Sequence, residues 1–403
     1  MPKHRHKIAP WLLQAELSMM ASDVGLCRRS VCCTLSHFAS RPSLGNVFQW
    51  KEMCPGVTNI PSCMALSSSA LRGQTCLVTV GDDCGGLAVF DPAAGTHGLE
   101  DFCSCVQANG HAIYDLKWAC DDSFIASASA DGTVCLTSLT ESQLRPRLML
   151  HSQSVSHVKS IACHPQHSNL LASGTRDGTL RVWDTRSRKA PMHGRLGPML
   201  PQPLASEFIT PSRSIPSSLQ KSSHGVHSLT GLEFLDDMSI ISSSSDGNVC
   251  LWDIRNFSRP CMISQATNGK LRALTCVRVS PCRTRAAFLT ATGYCCVQPL
   301  QHLDNVELCT AIPLCPDPAL DFSLKLDWSP CGRFLACSCK DKFIHIVDMT
   351  LGIVVLKLQG HAGAVKDVVW FRNRTGLLSL AIDGQIRVWH PQMPRYNSGG
   401  PAI

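Results

Sequence analysis

An all-β, seven-bladed β-propeller with a short N-terminal helical or irregular extension is what this sequence predicts. Three observations carry that expectation. A turn dipeptide recurs seven times at near-constant spacing. Alternating apolar strands flank each turn. The length, 403 residues, suits two domains or one repeat array.

The turns are Cys84-Gly85, Asp131-Gly132, Asp177-Gly178, Asp246-Gly247, Thr292-Gly293, Asp341-Lys342 and Asp383-Gly384. Their first members lie 47, 46, 69, 46, 49 and 42 residues apart. All steps but one match the ~40–50-residue period of a four-stranded blade. The long step marks an insertion. Asp-Gly between alternating strands is a strong hairpin signal, because both central positions favour positive φ. Six residues past each first member stand Phe90, Thr137, Trp183, Trp252, Gln298, Val347 and Trp389, at the end of a third strand. The segment "HAIYDLKWACDDSFIASASADGTVCLTSL" shows the unit: an alternating strand, a turn, a small-residue strand, a hairpin and a third strand.

Ahead of the first unit, "LGNVFQWKEM" alternates Val47, Gln49 and Lys51 against Phe48 and Trp50. It is predicted to supply the outer strand of the seventh blade and so close the ring. The alternative is an ordinary N-terminal strand on the first blade. Residues 1–42 are then an extension, 43–392 the propeller and 393–403 a tail. A basic, Pro/Ser-rich stretch at about 187–225 is expected to be a mobile surface loop, since it has little apolar area to bury. Thr210, followed by Pro211, fits a proline-directed phosphosite. Residues 10–21 and 26–38 read as short helices that cap the propeller or dock on a partner.

Composition narrows the function. Hydrophobic residues make up 44% and charged residues 17%, enough for a large core. A net charge of +7 permits acidic partners but falls short of a nucleic-acid-binding signature, so direct nucleic-acid contact is not expected. No run of 18 apolar residues suggests a transmembrane helix, and the N-terminus reads as non-secretory. The 23 cysteines include no C-x-x-C pair and sit mostly in apolar strands, as reduced thiols of a nuclear or cytosolic protein would. No phosphate loop, nucleophile elbow or zinc-protease motif occurs. No catalytic residue, metal or cofactor is therefore expected.

Gly110-His111 and Gly360-His361, with Asp115 and Asp367 after them, and the endings Trp183-Asp184 and Trp252-Asp253 resemble the WD-repeat family of propellers. The resemblance covers roughly residues 60–392 and implies structural roles for His111, Trp183, Asp184, Trp252, Asp253, His361 and Trp389. In that family, the His, a Ser or Thr, the Trp and the turn Asp share a hydrogen-bonded network. Several units lack the Trp, so their networks are expected to be partial.

The two Trp-Asp endings continue to Arg186 and Arg255. Both arginines enter the turn to the fourth strand, on the rim away from the Asp-Gly hairpins. They read either as plain turn residues or as partner-binding forks. Two adjacent Trp-Asp-x-Arg endings, with a basic insertion after the first, resemble the denticleless-type substrate receptors of cullin–RING ubiquitin ligases of the cullin-4 class. The resemblance implies a non-enzymatic nuclear receptor with a role in DNA replication and the cell cycle. Arg186 and Arg255, helped by Trp11 and Leu12, would bind the ligase adaptor. The hairpin face would hold a short substrate degron. Arg176 and Lys340, each just before a turn aspartate, are its candidates there. No sliding-clamp-binding box occurs before Ile403, so clamp-coupled recognition would rest on the propeller alone. The competing reading is a WD-repeat scaffold in another large multiprotein or ribonucleoprotein assembly. A channel-site enzyme is the third.

Overall fold

The computed structural model describes residues 42–49, 59–67, 76–92, 104–140, 143–151, 156–186, 192–195, 227–257, 260–266, 273–315, 324–372 and 376–391. They form seven antiparallel four-stranded sheets, with no α-helix among the described residues. Six blades follow chain order from inside to outside. Their innermost strands are Pro61–Leu66, Ile113–Trp118, Val158–Cys163, Leu229–Phe234, Leu274–Val279 and Leu326–Trp328. Val365–Trp370 is the innermost strand of the seventh blade.

That blade closes the ring as the sequence predicts. Its three C-terminal strands are completed by the N-terminal strand Pro42–Gln49, which pairs antiparallel with Gln385–Pro391. Phe48 is fully buried and meets Phe90 of the first blade at 5.0 Å between ring centroids. One further expectation needs correcting. The insertion is not wholly outside the blades, because Met192–Arg195 pairs with Thr179–Asp184 as the outer strand of the third blade. A four-residue edge strand leaves too little periodicity to be legible among prolines and basic residues. Residues 10–21 and 26–38, Thr210 and the tail lie outside the described residues.

The core consists of seven layers, one at each junction between neighbouring blades. The layers follow from the strand pattern. A blade is apolar on both faces, so it must be covered on both sides, and only a closed ring does this for every blade. Trp183, Trp252 and Trp389 each sit in the layer shared with the preceding blade. The hairpin at Cys84-Gly85 shows why glycine follows there. At Gly85 φ is +94°, and a Cβ would come within 2.2 Å of the Asn109 carbonyl oxygen.

Candidate functional site

Within each Trp-Asp-x-Arg ending the tryptophan and the aspartate bond in different places. The indole N–H of Trp183 donates to Ser173 Oγ, and that of Trp252 to Ser242 Oγ, each at 2.8 Å. These bonds are buried and belong to the fold. The aspartates are not part of that network. Asp184 accepts from Arg186 Nε at 3.0 Å, Nη2 at 2.9 Å and the backbone N–H at 3.0 Å. Asp253 does the same for Arg255, at 2.9, 2.7 and 2.9 Å. Asp184 and Asp253 act locally: they cap the turn and grip an arginine.

Hydrogen bonding from Arg255 holds the Asp253 carboxyl down at about 2, and Arg186 lowers Asp184 in the same way. The arginine side chains remain 67% and 70% exposed. Each fork is therefore fixed at one edge, while its other N–H donors face solvent. In the third and fourth blades these turns lie at the same end of the sheet. Leu170 pairs with Asp184, and Ser239 with Asp253, so the turns sit opposite the Asp-Gly hairpins. Trp11 and Leu12 lie outside the described residues.

On the hairpin face, the innermost strand of the third blade starts beside the end of its second strand. Val158 pairs with Thr175, and the Arg176 N–H donates to the His157 carbonyl at 2.8 Å. Innermost strands bulge at this level, leaving Tyr114 and Lys159 out of register. Lys159 Nζ lies 3.4 Å from the centroid of the Tyr114 ring, a cation–π contact, and His157 stacks on the same ring. Burial and the neighbouring Arg176 push the Lys159 ammonium down to about 8. His157 is lowered by burial, then by Lys159, Arg176 and His111. Among the described residues, none of these cations has a carboxylate in ion-pair reach. Asp177 is occupied by Thr175 and Thr179. Lys340 does not join this group. It is half-buried on the sixth blade, on the same face but across the ring.

The seventh blade carries the complete hydrogen-bonded network. Trp389 Nε1 donates to Ser379 Oγ, which lies 2.7 Å from His361 Nε2, and His361 Nδ1 faces Asp383 at 3.3 Å. His111, expected to do the same in the second blade, is exposed. Asn109 takes the place instead. It accepts from Ser127 at 2.6 Å and donates to Thr133 at 3.0 Å. The spacing carried this signal: Asn109 stands 18 residues before Ser127, as His361 stands before Ser379.

Sequence reasoning also missed the channel. At every junction, a side chain of one innermost strand bonds the backbone of the next. Ser62, Ser160 and Thr275 donate to the carbonyls of Ile113, Leu229 and Leu324. Asp115, Glu233, Asp327 and Asp367 accept from the N–H groups of Ile161, Val279, Trp370 and Met64. Lys325 then spans the channel, with Nζ 2.7 Å from Asp115 and 3.7 Å from Asp367. Burial alone would raise the Asp115 carboxyl, but Lys325, Lys117 and Arg278 hold it well below the usual range. Burial keeps Asp367, the more distant partner, raised.

Comparisons with known proteins agree with this architecture. Residues 322–348 and 352–390 match the family described as WD domain, G-beta repeat. Residues 110–280 match the nucleolar protein 10-like N-terminal domain. The denticleless protein homolog of Danio rerio is 24% identical over 82% of this chain and 52% of its own length. Denticleless protein homolog B of Xenopus laevis is 25% identical over 80% of the chain and 47% of its own length. Cell division cycle protein cdt2 of Schizosaccharomyces pombe is 25% identical over 89% and 75%. The chain spans about half the length of the denticleless relatives it matches. Its seven closed blades and its WD repeats make it a WD-repeat β-propeller, similar over most of its length to denticleless proteins.

Proposed function

We propose that the chain is the substrate-recognition subunit of a cullin–RING ubiquitin ligase, acting in the nucleus in replication and cell-cycle control. The observation that carries this reading is the pair of clamped arginines. Arg186 and Arg255 stand on adjacent blades, exposed on one face, each held in a single orientation by its own aspartate. A fork ordered before binding loses less entropy when it docks. That suits an adaptor contact. The opposite face then receives the substrate. Tyr114, Lys159 and Arg176 offer it a ring and two cations, which favour an acidic degron segment.

The test is capture of purified adaptor. Arg186→Ala with Arg255→Ala is expected to lower capture at least ~10-fold while the melting temperature stays put, since exposed substitutions usually cost within ~0.5 kcal/mol. Asp184→Asn with Asp253→Asn, which loosens the forks, is expected to fall between. Undiminished capture by the alanine variant sinks the proposal. A second reading, a scaffold of a ribonucleoprotein assembly, draws on the nucleolar protein 10-like match over residues 110–280. Purification of the chain in an RNA-rich complex free of adaptor and cullin would favour it.

A further inference from the structure

Every described cysteine is a free thiol, and half of them are buried as small apolar groups. One pair is placed otherwise. Cys315 follows the outer strand Thr310–Pro313 of the fifth blade, and its N–H donates to the Gly293 carbonyl at 3.3 Å. Cys339 lies between the second strand of the sixth blade, Phe334–Cys337, and the Asp341-Lys342 hairpin. Its carbonyl accepts from Val365 of the seventh blade at 3.0 Å. Asp341 opens the hairpin. The two sulfurs and a carboxylate oxygen of Asp341 all lie within 4.8 Å of one another.

We propose that Cys315, Cys339 and Asp341 bind a divalent thiophilic ion, zinc by ligand class, as a clip between the fifth and sixth blades. Two thiolates and a carboxylate are borderline-soft donors that match zinc. Zinc–sulfur bonds of about 2.3 Å and zinc–oxygen bonds of about 2.1 Å put tetrahedral ligands roughly 3.5–3.8 Å apart. The observed triangle is of a size that side-chain rotation can close around one ion. A separate feature supports it. His345, with no exposed side-chain area, places Nε2 2.8 Å from Asp341 Oδ2. The Asp341 Oδ1 atom accepts from the Phe343 N–H at 3.2 Å. Metal-binding carboxylates are commonly oriented by outer partners of this kind. Water takes the fourth position. Binding releases the thiol protons to solvent, and no oxidation is involved.

The clip has a mechanical use. On the channel side, the fifth and sixth blades are joined by the neutral hydroxyl of Thr275, whereas carboxylates join four of the other junctions. A metal at the hairpin face would tie the same two blades at their rim. It is independent of the ligase reading.

The experiment uses the full chain, stripped of metal under reducing conditions and reconstituted with zinc ions alone. Wild type is expected to hold one more zinc per chain than Cys315→Ser treated identically. Its melting temperature should rise with zinc, and that of the variant should not. With cobalt(II) in place of zinc, wild type should show a thiolate charge-transfer band that the variant lacks. Asp341→Asn should bind at least ~10-fold more weakly. Cys339→Ser replaces Cys315→Ser if the latter alters the circular dichroism spectrum. Equal zinc content in wild type and variant, or no cobalt–thiolate band, overturns the proposal. So does a Cys315–Cys339 disulfide in peptide maps of the freshly isolated chain.

Discussion

A tryptophan and an aspartate adjacent in sequence do different work here. The indoles of Trp183 and Trp252 go to buried serines, while Asp184 and Asp253 turn outward to grip arginines. The reason is strand alternation: successive side chains leave on opposite sides, and the last one reaches the turn. The same scale explains His361. Burial lowers its pKa to about 4, so the native state keeps it neutral. Between pH 6.5 and about 4 the unfolded chain takes up a proton that the native chain refuses. Stability therefore falls as pH falls through this window, by about 3 kcal/mol in total. His361→Asn copies the group that the second blade uses at Asn109. It is expected to cost about 1 kcal/mol at pH 7.5 and to flatten the loss between pH 6.5 and 4.5. Denaturant unfolding across that range checks it. An unchanged pH slope would place the proton uptake elsewhere.

Among the elements, the closing strand Pro42–Gln49 matters most, because it covers a blade edge and fills a junction at once. An uncovered edge would present unpaired backbone groups. Phe48→Ala removes a fully buried ring from the layer between the seventh and first blades. It is expected to destabilise by about 3–5 kcal/mol and to expose both chain ends to protease. Limited proteolysis with thermal melts tests this. A loss below about 1 kcal/mol would mean the layer holds without it. The strand was legible from its alternation. The edge strand Met192–Arg195 was not, because a four-residue outer strand is specified by its neighbour rather than by its own pattern.

For the whole molecule, seven apolar layers supply cohesion, and the channel side chains supply register. Side chain-to-backbone bonds at each junction satisfy groups that no neighbouring strand of the same sheet can reach. Lys325 joins the sixth blade to the second and seventh. Lys325→Met leaves Asp115 buried without its cation and is expected to cost about 3–5 kcal/mol. Adding Asp115→Asn should recover much of that, which a double-mutant cycle measures. Because the Asp115 carboxyl is held low, its contribution is present at neutral pH. It is lost only as pH falls below the ordinary carboxylate range. Equal unfolding energies for Lys325→Met and wild type would show the channel pair to be neutral.

The blade count, the hairpins, the closing strand and the two arginines were all readable from the sequence, because each is a local or periodic signal. A hairpin shows its own turn residues, and a strand shows its own alternation. What only the tertiary structure decided are pairings between distant residues. Lys325 meets Asp115, Lys159 lies over Tyr114, and Cys315 reaches Cys339 and Asp341. Such pairs arise because ring closure brings together strand starts that lie far apart in the chain. No spacing within one segment encodes them.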